Sequence, residues 1–346
     1  MRPARRTTRD TCAAGRLGAL LLFAALLLAC AAGCAPQHRG PLAYVSNERD
    51  GTVTVIDTTS DTVVSTIKVG ARARGIRLSP NGRSIYVALS YPTNSRVGED
   101  KIAVLDTGSE RITAKYDAGT DPENFVLDKD GARLYIANED AGTCSVTDLK
   151  TNRVIATMPV GPEPEGVALS PDGRWVYVTS ENSSAVSVID TQTNAVVKTF
   201  LVGARPREAV FTPDGTRAYV TAENGDTVSV VDTRAHSVVD TIRLPRGEGA
   251  QQLKPKGAAV SPDAQRLYVA TGRGNSVAVI DTASDQVIAL IPVGQRPWGL
   301  ALTPDGRKLY TANGISNDVS VIDTATNTVV KTIKAGDGPW GIALKP

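Results

Sequence analysis

The chain has 346 residues, 41% hydrophobic and 21% charged, with 31 glycines, 20 prolines and a formal net charge of +2. Residues 1–29 hold five arginines against one aspartate, which leaves −2 for the rest of the chain. A near-neutral body without a basic stripe interleaved with aromatics excludes a nucleic-acid partner, because phosphate binding needs clustered lysines and arginines.

Residues 1–29 read as an export signal: arginines first, then the apolar run LGALLLFAALLLA at 17–29. That run is too short for a permanent membrane helix, which needs about 20 apolar residues. LLAC at 27–30 has the pattern of a lipobox, with Leu27 three residues before Cys30. Cys30 is therefore the expected lipidation site, with Cys34 in AAGC as the alternative. The expected organisation is a lipoprotein signal peptide at 1–29, a lipidated tether at 30–41 and a folded body at 42–346. It places the body in the cell envelope, on the periplasmic side, anchored to a membrane by acyl chains that contribute ~0.8 kcal/mol per buried methylene. Cys144 is the one cysteine of the body. No disulfide can form within it, and the thiol is expected to pack as a small buried apolar group.

From residue 42 onward the chain repeats. A motif of the form [VI]xDT, or a variant, ends at Asp57, Asp106, Asp148, Asp190, Asp232, Asp281 and Asp323, at intervals of 49, 42, 42, 42, 49 and 42. A tyrosine precedes each: Tyr44, Tyr86, Tyr135, Tyr177, Tyr219, Tyr268 and Tyr310. The unit at 161–203 contains four β-rich runs, GVALS, WVYVTS, AVSVID and AVVKTFLV, separated by turn chemistry such as SPDG and TQTN. Four short antiparallel strands per unit, seven times over, predict an all-β seven-bladed propeller of about 28 strands. The last run, GPWGIALKP at 338–346, is an inner strand alone, and the first, AYVSN at 43–47, begins at a second strand. Together they complete one blade, so the ring is expected to close with the C-terminal strand joined to the N-terminal blade.

The SPDG and DTxTN turns share one face of such a ring. The other face collects the variable loops, where binding on a fixed scaffold usually resides. The residue at the centre of each Pro-x-Gly-like start of an inner strand is Arg74, Glu123, Glu165, Arg207, Lys256, Trp298 and Trp340. Each lies 17 residues after an Asp motif, except Lys256 at 24. Equivalent positions in a ring should meet at the central funnel, with two adjacent tryptophans as an aromatic wall and charges to orient a polar ligand or partner. The second loop set adds Glu48, Glu139, Glu181 and Glu223. Ring geometry spreads these carboxylates, so no metal site is expected, and local hydrogen bonds to loop amides are the expected use. Two seven-residue insertions, at 91–100 and 245–254, fall on the same face.

Histidine is confined to His38 and His236. That argues against a histidine-based metal site, a Ser–His–Asp triad and histidine acid/base chemistry. No CxxCH haem motif and no phosphate-binding glycine loop is present. Neither a cofactor nor a catalytic set is expected.

The repeats resemble YVTN-type β-propeller repeats over 42–346. AYVSNERDGTVTVIDT, DPENFVLDKDGARLYIANED, GPEPEGVALSPDGR, VGQRPWGLALTPDGRKLYTANGISNDVSVIDT and GPWGIAL further resemble the β-propeller family associated with PQQ-dependent catabolism. That resemblance implies a setting beside periplasmic quinoprotein alcohol oxidation, with a quinoprotein dehydrogenase or a cytochrome as partner. Three functions follow as expectations. The first is a membrane-tethered binding or scaffold propeller for a periplasmic protein or small ligand. The alternatives are a metal-dependent lactonase- or lyase-like propeller enzyme, which would need converging carboxylates from Glu48, Glu139, Glu181 or Glu223, and a cell-surface adhesive protein.

Overall fold

The computed structural model describes residues 40–91, 100–246, 249 and 251–346. The proposed signal peptide, Cys30, Cys34 and most of the tether and first insertion lie outside the described residues. Twenty-eight strands form seven four-stranded antiparallel sheets arranged as a propeller. Blade 1 takes β1 (Leu42–Asn47), β2 (Thr52–Asp57) and β3 (Thr62–Lys68), with β28 (Pro339–Lys345) as its inner strand. Blades 2 to 7 follow in chain order over residues 73–117, 122–159, 164–201, 206–243, 255–292 and 297–334.

Each blade stacks on two neighbours, so its central strands need apolar residues on both faces. In β1 all six residues are buried, whereas the outer strand β3 alternates between exposed and half-buried positions. Small and β-branched residues fill the interfaces: Ala43, Val45 and Ile56 of blade 1 pack on Tyr310, Ala312, Val319 and Val321 of blade 7. Each buried valine or isoleucine contributes roughly 1.5–3 kcal/mol. Cys144 is fully buried in the cluster between blades 3 and 4.

Closure is as expected. Ala43 pairs with Leu344 and Val45 with Ile342, in an antiparallel ladder between residues nearly 300 positions apart. Gly341 N donates to Ser46 Oγ (3.0 Å), and Ser46 Oγ donates to Arg74 O of blade 2 (2.6 Å), tying the joint to the next blade.

The repeated tyrosine has a structural use on the turn face. Tyr135 Oη donates to Asn194 Oδ1 (2.9 Å), Tyr310 Oη to Asp61, and Tyr177 Oη lies 2.7 Å from His236 Nδ1. The partner is each time the fifth residue of the next blade's Asp turn, held at positive φ (51°, 53° and 47°). Asn and Asp tolerate that left-handed conformation better than most residues. His236 departs from that pattern, as does Glu110 at the equivalent position of blade 2 (φ 55°).

Candidate functional site at the channel mouth

The seven inner strands begin on the variable face and run side by side down the central channel. Their close approach depends on glycine. A Cβ at Gly257 would lie 2.5 Å from Trp298 O, and one at Gly299 would lie 2.6 Å from Trp340 O. In these blades only a residue without a side chain lets the neighbouring strands come this close. The residue before that position is thereby delivered to the mouth. Arg74, Glu123, Glu165, Arg207, Lys256, Trp298 and Trp340 do meet there, as the sequence leads one to expect. The five charged members are buried.

Arg74 organises one half of the mouth. Its Nε donates to Glu48 Oε1 (3.1 Å), and its Nη1 donates to Asp121 Oδ1 (3.1 Å) and to Glu123, with Glu139 at 3.6 Å. Arg72 adds a second contact to Glu48 (2.9 Å). Burial works against the Arg74 charge, but Glu123, Asp121 and Glu48 outweigh it and hold the guanidinium firmly protonated. Burial drives the Glu123 carboxyl well above the ordinary range, against the pull of Arg74, and a hydrogen bond to Glu139 keeps the proton there. Burial raises Glu139 as well, while the hydrogen bond from Glu123 favours its ionised form. Two carboxyl groups, both raised by burial, thus stand beside a fixed cation.

The oxygens of Asp121, Glu123 and Glu139 lie within 4.8 Å of one another. Such a triangle suits a hard cation in principle. Here Arg74 Nη1 sits against all three, so the residues fit a guanidinium and leave no place for a metal among them.

The other half is a second ion-pair network. Arg207 bonds Glu165 and Glu181 at close range and approaches Glu223 (3.6 Å). Arg205 reaches Glu181 (2.7 Å) and Glu223 (3.3 Å), and Lys256 Nζ is 3.0 Å from Glu223. Burial, and then repulsion from Arg207, lowers the Lys256 amine to about 8. Lys256 also sits 3.8 Å above the Trp298 ring, a cation–π contact worth about 0.5–2 kcal/mol. Trp298 and Trp340 stack with centroids 6.1 Å apart and form the half-exposed wall between Lys256 and Arg74.

Glu48, Glu139, Glu181 and Glu223 depart from expectation in one respect. Their principal partners are arginines and a lysine, because the start of an inner strand supplies Arg74, Arg207 or Lys256 and the loop before it Arg72 or Arg205. Sequence reasoning missed Arg72, Asp121 and Arg205, which stand two residues before a ring position, and Asn124 and Glu208, which replace the glycine of the repeat in blades 3 and 5. That replacement was a usable signal. A larger depression of about 550 Å³ lies on the turn face beside Trp175, but its carboxylates cap turns. Asp172 accepts from Ser170 Oγ and Asp214 accepts from Thr216 Oγ1.

Fold and mouth together define a seven-bladed β-propeller with a polar, charge-paired site on its axis. The chain belongs to the family described as lactonase, 7-bladed beta-propeller, whose model matches residues 33–154 and 190–336. A YNCE-like beta-propeller model matches 94–218. No curated protein matches the chain. Among solved structures it is similar to a candidate 6-phosphogluconolactonase from Bacteroides fragilis (18% identity, TM-score 0.73, covering 90% of this chain and 99% of that one). A candidate 6-phosphogluconolactonase from Bacteroides uniformis matches likewise (18%, TM-score 0.74, 88% and 100%). So does Kuenenia stuttgartiensis hydrazine synthase (22%, TM-score 0.70, 81% and 95%). At these identities the structures establish the fold. The matches stop at these propeller families and reach neither the YVTN-type nor the PQQ-associated likeness. They favour the lactonase expectation over the scaffold one.

Proposed function

We propose that the protein is a lactonase-type hydrolase that opens a cyclic ester at the channel mouth, exported and held at a membrane by lipid on Cys30 or Cys34. The observation that carries the reading is the cluster of Asp121, Glu123 and Glu139 around Arg74, their oxygens within 4.8 Å of one another, in a chain of the lactonase propeller family. Lactone hydrolysis needs a base for the attacking water, a positive group for the carbonyl oxygen and an acid for the departing alkoxide. Glu139, the more exposed of the two, takes the proton of the water as it bonds to the carbonyl carbon. Arg74 faces the developing oxyanion with Nη2, which has no hydrogen bond among the described residues. As the ring C–O bond breaks, Glu123 gives its proton to the alkoxide, and the product is the open hydroxy acid. The proton on Glu139 then returns to Glu123 through their shared hydrogen bond. Trp298 and Trp340 offer an apolar face to the ring of the substrate.

The test is hydrolysis of δ-valerolactone and glucono-δ-lactone, followed by acid release. Glu139→Gln should lower kcat about 10²- to 10⁴-fold. A Glu123→Gln/Glu139→Gln double variant that melts like the wild type and turns over at the wild-type rate would remove the proposal. For the anchor, Cys30→Ser should shift the protein from the membrane to the soluble fraction. Retention in Cys30→Ser with release in Cys34→Ser would assign the lipid to Cys34, and retention in the double variant would end the lipoprotein reading.

A further inference from the structure

Two departures from the repeat meet inside the channel. Arg77 lies on β4 (Ala73–Leu78), three residues below Arg74. In the ladder it stands opposite Tyr86. The residues opposite the corresponding tyrosines of the other blades are Val126, Ala168, Val210, Ala259, Ala301 and Ala343, all too short to cross. Glu208 lies on β16 (Pro206–Phe211), where five blades have glycine. It shares the wall of a small cavity, about 20 Å³, with Lys256, Trp298 and Trp340 of the mouth. Blades 2 and 5 are three apart, the widest separation in a ring of seven. Across that gap Arg77 Nη2 comes within 3.6 Å of Glu208 Oε1, while Arg77 Nη1 donates to Ile76 O (3.0 Å) and Glu208 N donates to Thr221 Oγ1 (3.1 Å). Burial among the inner strands raises the Glu208 carboxyl and lowers the Arg77 guanidinium, although more than a quarter of each side chain stays open to the channel.

We infer that the Arg77–Glu208 pair bars the channel beneath the mouth and limits the length of the substrate, so that removing it would admit lactones bearing an alkyl tail. The inference rests on the lactonase reading for its choice of substrate. At the level of the bar the other six inner strands carry alanine or valine, which suits a hydrocarbon chain and discriminates little against it. A tail that meets an ion pair must desolvate charge, whereas a tail that meets alanine gains burial for each methylene.

The experiment compares δ-dodecalactone with δ-valerolactone for the wild type and for Arg77→Ala/Glu208→Gly, which restores the residues the other blades use. The kcat/KM ratio of long to short lactone should rise about 10-fold or more, the scale on which apolar pockets discriminate. Glu208→Gln, which keeps the bulk, should leave the ratio within about 2-fold of wild type. An unchanged ratio in a folded double variant overturns the inference. If the double variant melts below the assay temperature, Arg77→Ala alone supplies the same ratio, since Glu208 is too short to cross the channel. Saturable binding of the apolar dye N-phenyl-1-naphthylamine, gained by the variant and absent from the wild type, reads the opening without any turnover. Should the wild type hydrolyse neither lactone, the functional reading falls, and the dye alone decides whether the channel is barred. No gain in dye binding would then sink the inference too.

Discussion

The two faces of the ring are built from the same 42-residue unit and differ in what the unit is used for. On the turn face one solution recurs in three blades, where a tyrosine reaches an Asn, Asp or His at positive φ in the next blade, and Ser or Thr with Asp caps the tight turns. On the mouth face equivalent positions hold arginine, glutamate, lysine and tryptophan, and the partners of each differ. The turn face joins blades, and the mouth face spends the same positions on two charge networks and an aromatic wall. The difference teaches that a repeat specifies a scaffold wherever it is obeyed, and a site wherever it is broken.

The largest expected effect removes what the faces have in common. Deleting residues 336–346 takes away the inner strand of blade 1 together with Trp340, and with it the β1–β28 ladder. Burial of Ile342 and its apolar neighbours on that strand contributes several kcal/mol, against a typical domain stability of about 5–15 kcal/mol. Cooperative thermal melting should be lost. A truncated protein with the wild-type Tm would break the comparison at its base, because neither face would then depend on a closed ring.

A smaller pair of effects separates the faces by pH. Lys256, on the mouth face, is lowered to about 8 by burial and by Arg207. A base lowered in the folded state stabilises it fully only above its unfolded value, near 10.4, and that contribution is lost as pH falls through about 8. The Tm difference between wild type and Lys256→Met should therefore shift in favour of wild type between pH 8 and 10, and a difference independent of pH would contradict the assignment. His236, on the turn face, is lowered by burial and by Lys198. Its contribution is present above about pH 6.5 and lost as pH falls below it. His236→Asn, which supplies the residue found at Asn194 and Asn327, should remove that acid-side drop in Tm. Persistence of the same drop in the variant would place its origin elsewhere.

Most of the fold was legible because strand, turn and interface are local or periodic properties. The seven tyrosines and seven Asp motifs fix blade number, and the incomplete first and last units fix closure. The ring of Arg74, Glu123, Glu165, Arg207, Lys256, Trp298 and Trp340 was legible for the same reason, since one position per repeat becomes one circle in space. The pairing within that circle was not. Whether Glu123 meets Glu139 or Arg74 depends on side-chain reach between blades, which periodicity does not encode. Arg77 and Glu208 break the repeat at their positions but were not read as a pair from the sequence, because that they face each other depends on the diameter of the channel.

The most direct test is the pH dependence of kcat for δ-lactone hydrolysis in wild type, Glu123→Gln and Glu139→Gln. A shared-proton pair should give a bell-shaped profile in the wild type, with both limbs belonging to the pair. Glu123→Gln should lose the alkaline limb and Glu139→Gln the acid limb. A wild-type profile without limbs, or identical profiles in both variants, would show that the two carboxyl groups do not exchange a proton during turnover.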